Sequence, residues 1–260
     1  MLLAGGFRMP TLTPEALMSE SPLLFGRLPG HIPAGLEDLL FYIAGRVPKA
    51  PASVAVPQIA DWQMLGNDRY GCCGPAGLQH QFMADAADTS TVESFPSEAD
   101  LVSYYLQYTG GQDSGVVLAD YLAYVHKNGY YGHEVAAYAP VKVHDIPTLQ
   151  FAVWAYDAAY CGIAVTQQMQ ADFQAGQPWT LESLESPVVG GHCIPIVGYD
   201  SNFLYAVTWG AVQKIAYSAW HYLSEEAWAV ITGELAKGDG HGVSIKALQA
   251  DLKHLNGVHL

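Results

Sequence analysis

The chain has 260 residues, of which half are hydrophobic and only 14% charged, against about 25% in an ordinary soluble domain. A net charge of −14 and a pI near 4.9 argue against nucleic acid or an anionic membrane surface as partner. No apolar run approaches the ~18 residues that cross a bilayer.

Length allows one large domain or two lobes around a sizeable core. The opening "MLLAGGFRMP" lacks a basic start and a long apolar stretch, so no secretion signal is expected. The expected location is cytoplasmic or virion-associated. The four cysteines, Cys72, Cys73, Cys161 and Cys193, make no disulfide framework and are expected to be free thiols.

Residues 1 to about 60 carry eight prolines, at 10, 14, 22, 29, 33, 48, 51 and 57. They read as an arm or pro-segment-like extension wrapping the body, with one amphipathic helix at Gly35–Arg46. From Cys73 onward Ala76, His80, Met83, Ala84 and Ala87 recur at helical spacing. Further helices are expected at Glu98–Tyr108, Val116–Lys127 and Thr148–Ala158. "YCGIAV" (Tyr160 to Val165) reads as a short buried strand. "HCIPIVGY" and "FLYAVTWG", joined by "DSN", read as a hairpin. "QKIAYSAW" and "AWAVITG" read as two more strands with a turn or short helix between, and "SIKALQADLKHL" as a closing amphipathic helix.

This order, helices first and then a mostly antiparallel sheet, predicts an α+β domain of two lobes. The expected division is an arm over 1–60 and a domain over 61–260. Within the domain, the helical lobe covers about 61–158, the β lobe about 159–235 and the last helix about 243–255.

"GNDRYGCCGPAGL" (Gly66 to Leu78) puts two cysteines where a glycine-rich loop becomes a helix. Pro75 sits near the first helical position, where a missing N–H costs nothing. Free N–H groups and the positive end of the helix dipole then face the Cys73 sulfur, which is expected to lower its pKa from ~8.5. A thiolate is the nucleophile that amide cleavage needs. A lone cysteine of this kind more often only packs, so companions decide.

His192, in "GGHCIPIVGYD", begins a strand behind two glycines. If the hairpin turns about Asp200, positions summing to 400 face each other, and Thr208 lies opposite His192. Asn67, six residues before Cys73, can donate its amide into an oxyanion hole beside the Cys73 N–H. Cys193 follows His192 and so points to the other face of its strand. A zinc site from Cys72, Cys73, His192 and Cys193 lacks the usual C-x2-C span. "GGQDSG" (Gly110 to Gly115) and "GDGHG" (Gly238 to Gly242) read as turns, without the lysine of a P-loop. No cofactor and no metal are expected.

These residues resemble the papain-like cysteine peptidases. That family carries a glutamine six positions before a cysteine that opens a helix. Far downstream a histidine opens a strand, and an asparagine follows sixteen later in "NSWG". Here the slots read Asn67, Cys73, His192 and Thr208, the last in "VTWG". The resemblance covers roughly Asp61 to Thr232. "CCGPAGL" is also similar to the C39-like "DCGPAAL", and "GNDRYG" with "VTWG" resembles papain-like proteins of actinobacteria and their phages. The resemblance implies a papain-like two-lobed fold, Cys73 as nucleophile, His192 as proton shuttle, Asn67 at the oxyanion and Thr208 as orienter. Cys72 stands where related sequences carry aspartate or serine and is the alternative nucleophile; Cys73 is favoured, because the glycine and proline after it match the helix start.

Two functions follow as expectations. One is a thiol hydrolase, a cysteine peptidase acting on peptide or amide bonds of a peptide or protein substrate. The other is a catalytically weakened protein of the same fold with a structural or assembly role, such as a phage virion component, whose partner is a protein assembly. The low charge and the proline-rich arm fit the second.

Overall fold

The helix after the glycine-rich bend, α1 (Cys73–Asp88), has no solvent side: every residue from Cys73 to Ala86 is buried. A helix that is covered all round must satisfy its polar side chains internally. Gln79 donates to the Pro96 carbonyl at 3.0 Å and accepts from the Tyr130 hydroxyl at 2.5 Å. Gln81 donates to the Val230 carbonyl at 3.0 Å. Asp85 accepts from the Thr232 hydroxyl. The helix is therefore a central post, tied to both sides of the molecule. The computed structural model describes residues 23–88, 94–237 and 240–258; the first 22 residues of the arm lie outside these.

Around the post stand α2 (Glu98–Tyr108) and α3 (Leu118–Asn128). α2 begins at a capping box, in which the Ser97 hydroxyl accepts from the Asp100 N–H and the Asp100 carboxylate accepts from the Ser97 N–H. Then come β1 (Val135–Pro140), α4 (Ile146–Ala155), β2 (Ala159–Thr166), α5 (Gln167–Gln174), β3 (Val188–Tyr199), β4 (Phe203–Thr208), β5 (Ala211–Ala216), α6 (Tyr217–Leu223), β6 (Ser224–Thr232) and α7 (Ile245–Val258). The strands form one six-stranded antiparallel sheet in the order β1-β6-β2-β3-β4-β5. Trp179, Trp220, Trp228, Tyr160 and Tyr199 are among the largest fully buried side chains of the described residues. No helix among the described residues is long and apolar enough to cross a membrane.

The α+β order expected from the sequence holds, with three local corrections. Gly35–Arg46 is not an amphipathic helix. It contains only a four-residue 3-10 turn, Leu39–Tyr42, because Ile43 leaves to bridge Val243 and the Tyr42 hydroxyl reaches Asp251 of α7 at 2.9 Å. "QKIAYSAW" is half strand and half helix, since the chain turns at Ala216 from β5 into α6. The β3–β4 hairpin is shifted: Ile196 pairs with Ala206 and Tyr199 with Leu204, so paired positions sum to 402 or 403 rather than 400. The turn is centred between Ser201 and Asn202 rather than at Asp200, and a bulge between Ile196 and Gly198 makes the step from 403 to 402. At the turn, the Asp200 carboxylate accepts from the N–H groups of Asn202 (2.7 Å) and Phe203 (2.8 Å).

The described part of the arm touches the body at three bridges: Arg27 with Val116, Ile43 with Val243, and Val54 with Tyr199. The first of these lies across the N-terminus of α1.

Candidate active site

The loop before α1 is held in an unusual shape. Gln63 and Leu65 have φ of 61° and 55°, beside Gly66 at 82°, a left-handed run that side chains other than glycine adopt at a cost. Long-range partners hold it there. The Glu98 carboxylate accepts from the Gly66 N–H at 3.1 Å. One oxygen of Asp113 accepts from the Gly71 N–H at 2.9 Å and from the Tyr105 hydroxyl at 2.7 Å. Asp113 lies in the glycine-rich stretch that reads as a plain turn in the sequence. It buttresses the loop that delivers Cys73, and no local pattern marks it.

His192 sits on β3 opposite Ile163 of β2. Its Nε2 is 2.8 Å from Thr208 Oγ1. The shifted register makes this a diagonal contact rather than a directly paired one, but a threonine still reaches across. The other nitrogen, Nδ1, is buried and has no hydrogen-bond partner. The ring stacks on Trp209, with centroids 4.5 Å apart and planes at 18°. Trp209 holds φ at 44° and precedes Gly210 at 77°, a kink that lays the indole over the imidazole. His80, on α1, is also buried but is spent differently: its Nε2 faces the carbonyls of Trp62 (2.7 Å) and Gln63 (3.1 Å).

A segment of the arm threads past these groups. Leu24 N donates to the Asn67 carbonyl (3.0 Å), Val116 N to the Gly26 carbonyl (2.7 Å), Arg27 N to the Gly191 carbonyl (3.1 Å) and Leu28 N to the Val116 carbonyl (2.9 Å). Glycines form the corridor. A Cβ on Gly26 would fall inside the Gly71 carbonyl. A Cβ on Gly190 would stand 2.7 Å from the Phe25 ring, and one on Gly191 2.6 Å from the Arg27 carbonyl oxygen. The two glycines before His192 thus clear space for a peptide backbone.

Burial reverses the electrostatics expected at Cys73. Burial pushes the thiol up to about 11, although N–H groups of Cys193, Gly26 and Gly74 work the other way. Desolvation outweighs the helix terminus. Burial, with a smaller contribution from His80, lowers His192 to about 3. In this conformation thiol and imidazole are both neutral, and no hydrogen bond joins them, since Nδ1 is unpartnered.

Of the residues singled out in the sequence, Thr208 and His192 are in direct contact. Cys73 opens α1 at the strap. Asn67 is buried in the same loop, but its side-chain contact is with Cys72, whose Sγ lies 3.8 Å from Asn67 Oδ1. The Cys72 thiol also faces the Leu65 carbonyl at 3.4 Å, and burial raises its pKa above that of Cys73. Cys193 packs against α1, where a Cβ on Gly77 would meet its sulfur at 3.1 Å. All four cysteines are free and buried. Phe25, Arg27, Asp113 and Glu226, which shape the cleft, gave no signal in the sequence.

The helical post carrying a cysteine at its N-terminus, packed against an antiparallel sheet that offers a histidine, is the papain-like fold. Two solved structures carry the comparison. Xylellain, a cysteine protease from Xylella fastidiosa, superposes with a TM-score of 0.60 at 16% identity, over 79% of this chain and 95% of that one. Digestive procathepsin L2 proteinase from the larval midgut of Tenebrio molitor superposes with a TM-score of 0.56 at 16% identity, over 84% of this chain and 80% of that one. No protein-family model matches the sequence, and a search of curated proteins finds no match.

Proposed function

We propose that this chain is a thiol hydrolase, a cysteine peptidase, held closed by its own residues 24–28. The observation that carries the reading is the state of His192: Nε2 is held by Thr208 at 2.8 Å while the buried Nδ1 is left without a partner. If Nε2–H donates to the hydroxyl, Nδ1 keeps a lone pair, which is what a general base requires. In the working state the Cys73 S–H proton passes to Nδ1 and the thiolate adds to the substrate carbonyl carbon. The C–N bond breaks as the imidazolium returns the proton to the leaving amine. Water then hydrolyses the thioester. The Cys73 backbone N–H, with the Asn67 amide once it turns from Cys72, is the proposed oxyanion donor set. Thr208 acts by positioning the ring.

The same strap supports the alternative, a protein with a structural or assembly role, because the thiol it covers is neutral and fully buried. A peptidyl vinyl sulfone separates the two. The hydrolase reading expects labelling at Cys73 that Cys73→Ala and His192→Ala abolish and Cys72→Ala spares. It expects Thr208→Val to slow labelling modestly and Thr208→Asn to keep it. Labelling at Cys72, or equal slow labelling of all four cysteines, would overturn the assignment.

A further inference from the structure

We infer that the pocket holding Arg27 is a substrate subsite for a basic side chain, and that the peptide it accepts carries an arginine beside the bond to be cleaved. The inference rests on the peptidase reading and adds the substrate class. Arg27 is a buried cation, its side chain only 6% exposed. Its Nε donates to Glu226 at 2.7 Å and its Nη1 to the Glu225 carboxylate. The second oxygen of Glu226 accepts from Trp228 Nε1 at 3.0 Å, so that carboxylate is aimed. Beside Glu226, its cross-strand partner Gly162 of β2 forms the floor, where a Cβ would stand 2.6 Å from Arg27 Nε and 2.7 Å from Glu226 Cγ. Only a residue without a side chain leaves room for the guanidinium there.

The pocket lies next to the proposed chemistry. Arg27 bonds through its own N–H to the carbonyl of Gly191, the residue before His192, and the Gly26 N–H faces the Cys73 thiol. A side chain lodged here belongs to a residue adjoining the one over Cys73. A cavity of about 780 Å³, lined in part by Gly30, Asp145, Glu225 and Trp228, adjoins it and gives room for more of a ligand. With the strap in place Glu226 is 12% exposed; when Arg27 leaves, the carboxylate loses the guanidinium and keeps the Trp228 N–H. A carboxylate aimed into the vacated pocket calls for a cation. Two carboxylates at the two sides of one guanidinium favour arginine over lysine, and the net charge of −14 attracts basic peptides in general.

The test uses the full chain with Arg27→Ala, which vacates the pocket. N-acetyl-arginine amide and its neutral citrulline counterpart are titrated by calorimetry. The arginine compound is expected to bind at least tenfold more tightly, and Glu226→Gln in the same background to erase the difference. Equal binding of the two, or binding of neither, would overturn the subsite. If Arg27→Ala does not fold alone by circular dichroism, it is refolded in the presence of each compound: recovery with N-acetyl-arginine amide and not with the citrulline compound supports the subsite, and equal recovery with both, or with neither, overturns it. Vinyl sulfone peptides bearing arginine or citrulline then separate the two ideas. Glu226-dependent binding without labelling of Cys73 leaves the subsite standing and removes the peptidase. Equal labelling by both probes keeps the peptidase and removes the subsite.

Discussion

At its Phe25 end the strap is held by rings, and at its Arg27 end by charge. Phe25 lies edge-on to His192 and to Trp209, with centroids 5.9 and 6.2 Å away. Arg27 is clasped by Glu225 and Glu226, of which the first is 46% exposed. Ring contacts of this kind contribute about 1 kcal/mol each and tolerate sliding. A buried charge pair is different: losing one partner strands the other, at a cost of several kcal/mol. The ionic end should therefore fix the register of the strap, and the aromatic end should only cover the imidazole. Rates of iodoacetamide labelling at Cys73 report the opening of the strap and can rank the two ends.

Gly26→Val should have the largest effect. It has no room beside the Gly71 carbonyl, so both ends must lift together. Labelling should accelerate on the order of 100-fold, equivalent to about 3 kcal/mol of lost closure. An unchanged rate would mean that the strap does not control access to the thiol. Arg27→Met keeps most of the aliphatic stem and removes the charge. With Glu225 half in water the loss is discounted to about 2 kcal/mol, or roughly 30-fold faster labelling.

Acid probes the aromatic end separately. His192 is neutral when folded, lowered to about 3 from 6.5. Below pH 6.5 the unfolded chain binds a proton that the folded chain refuses. Stability therefore falls from about pH 6.5 towards 3, by up to ~1.4 kcal/mol per pH unit, with no such loss above 6.5. His192→Gln should remove this contribution, so the melting curves of variant and parent converge as the pH drops through that window. A constant gap between them would place the imidazole in water. Phe25→Ala should have the smallest effect, about fivefold faster labelling for ~1 kcal/mol. If it exceeds Arg27→Met, the ranking of the two ends is inverted.

The sequence showed its local structure better than its long-range contacts. Glu98–Tyr108 was legible as a helix and begins at a capping box within its own first turn. The α1 helix and the hairpin strands announced themselves by spacing and by turn residues. β1, "VAAYAP", did not, because a strand buried nearly throughout has no alternation to read. α5 was hidden by a glutamine-rich sequence with only Met169 buried. The position of Cys73 at the start of α1 and the His192–Thr208 contact were legible because order and spacing along the chain carry them. The pairing of His192 with Thr208 was expected from a hairpin register that proved shifted, and the contact survives because a diagonal neighbour is still within reach. The thiol's protonation is not legible for a different reason: desolvation depends on how completely the folded chain buries Cys73, which no motif around the cysteine records. Arg27 and Glu226 are 199 positions apart, beyond any local pattern.

The arm is anchored again soon after it leaves the cleft, by the turn at Leu39–Tyr42 and the Ile43–Val243 bridge. Only about ten residues separate that anchor from Leu28. A segment on so short a leash returns to its groove as though present at millimolar concentration. Any free peptide therefore competes against a tethered rival whose supply cannot be diluted. One cut in the leash, between Leu28 and Leu39, would remove this tether, and with it the local excess of the segment at its groove.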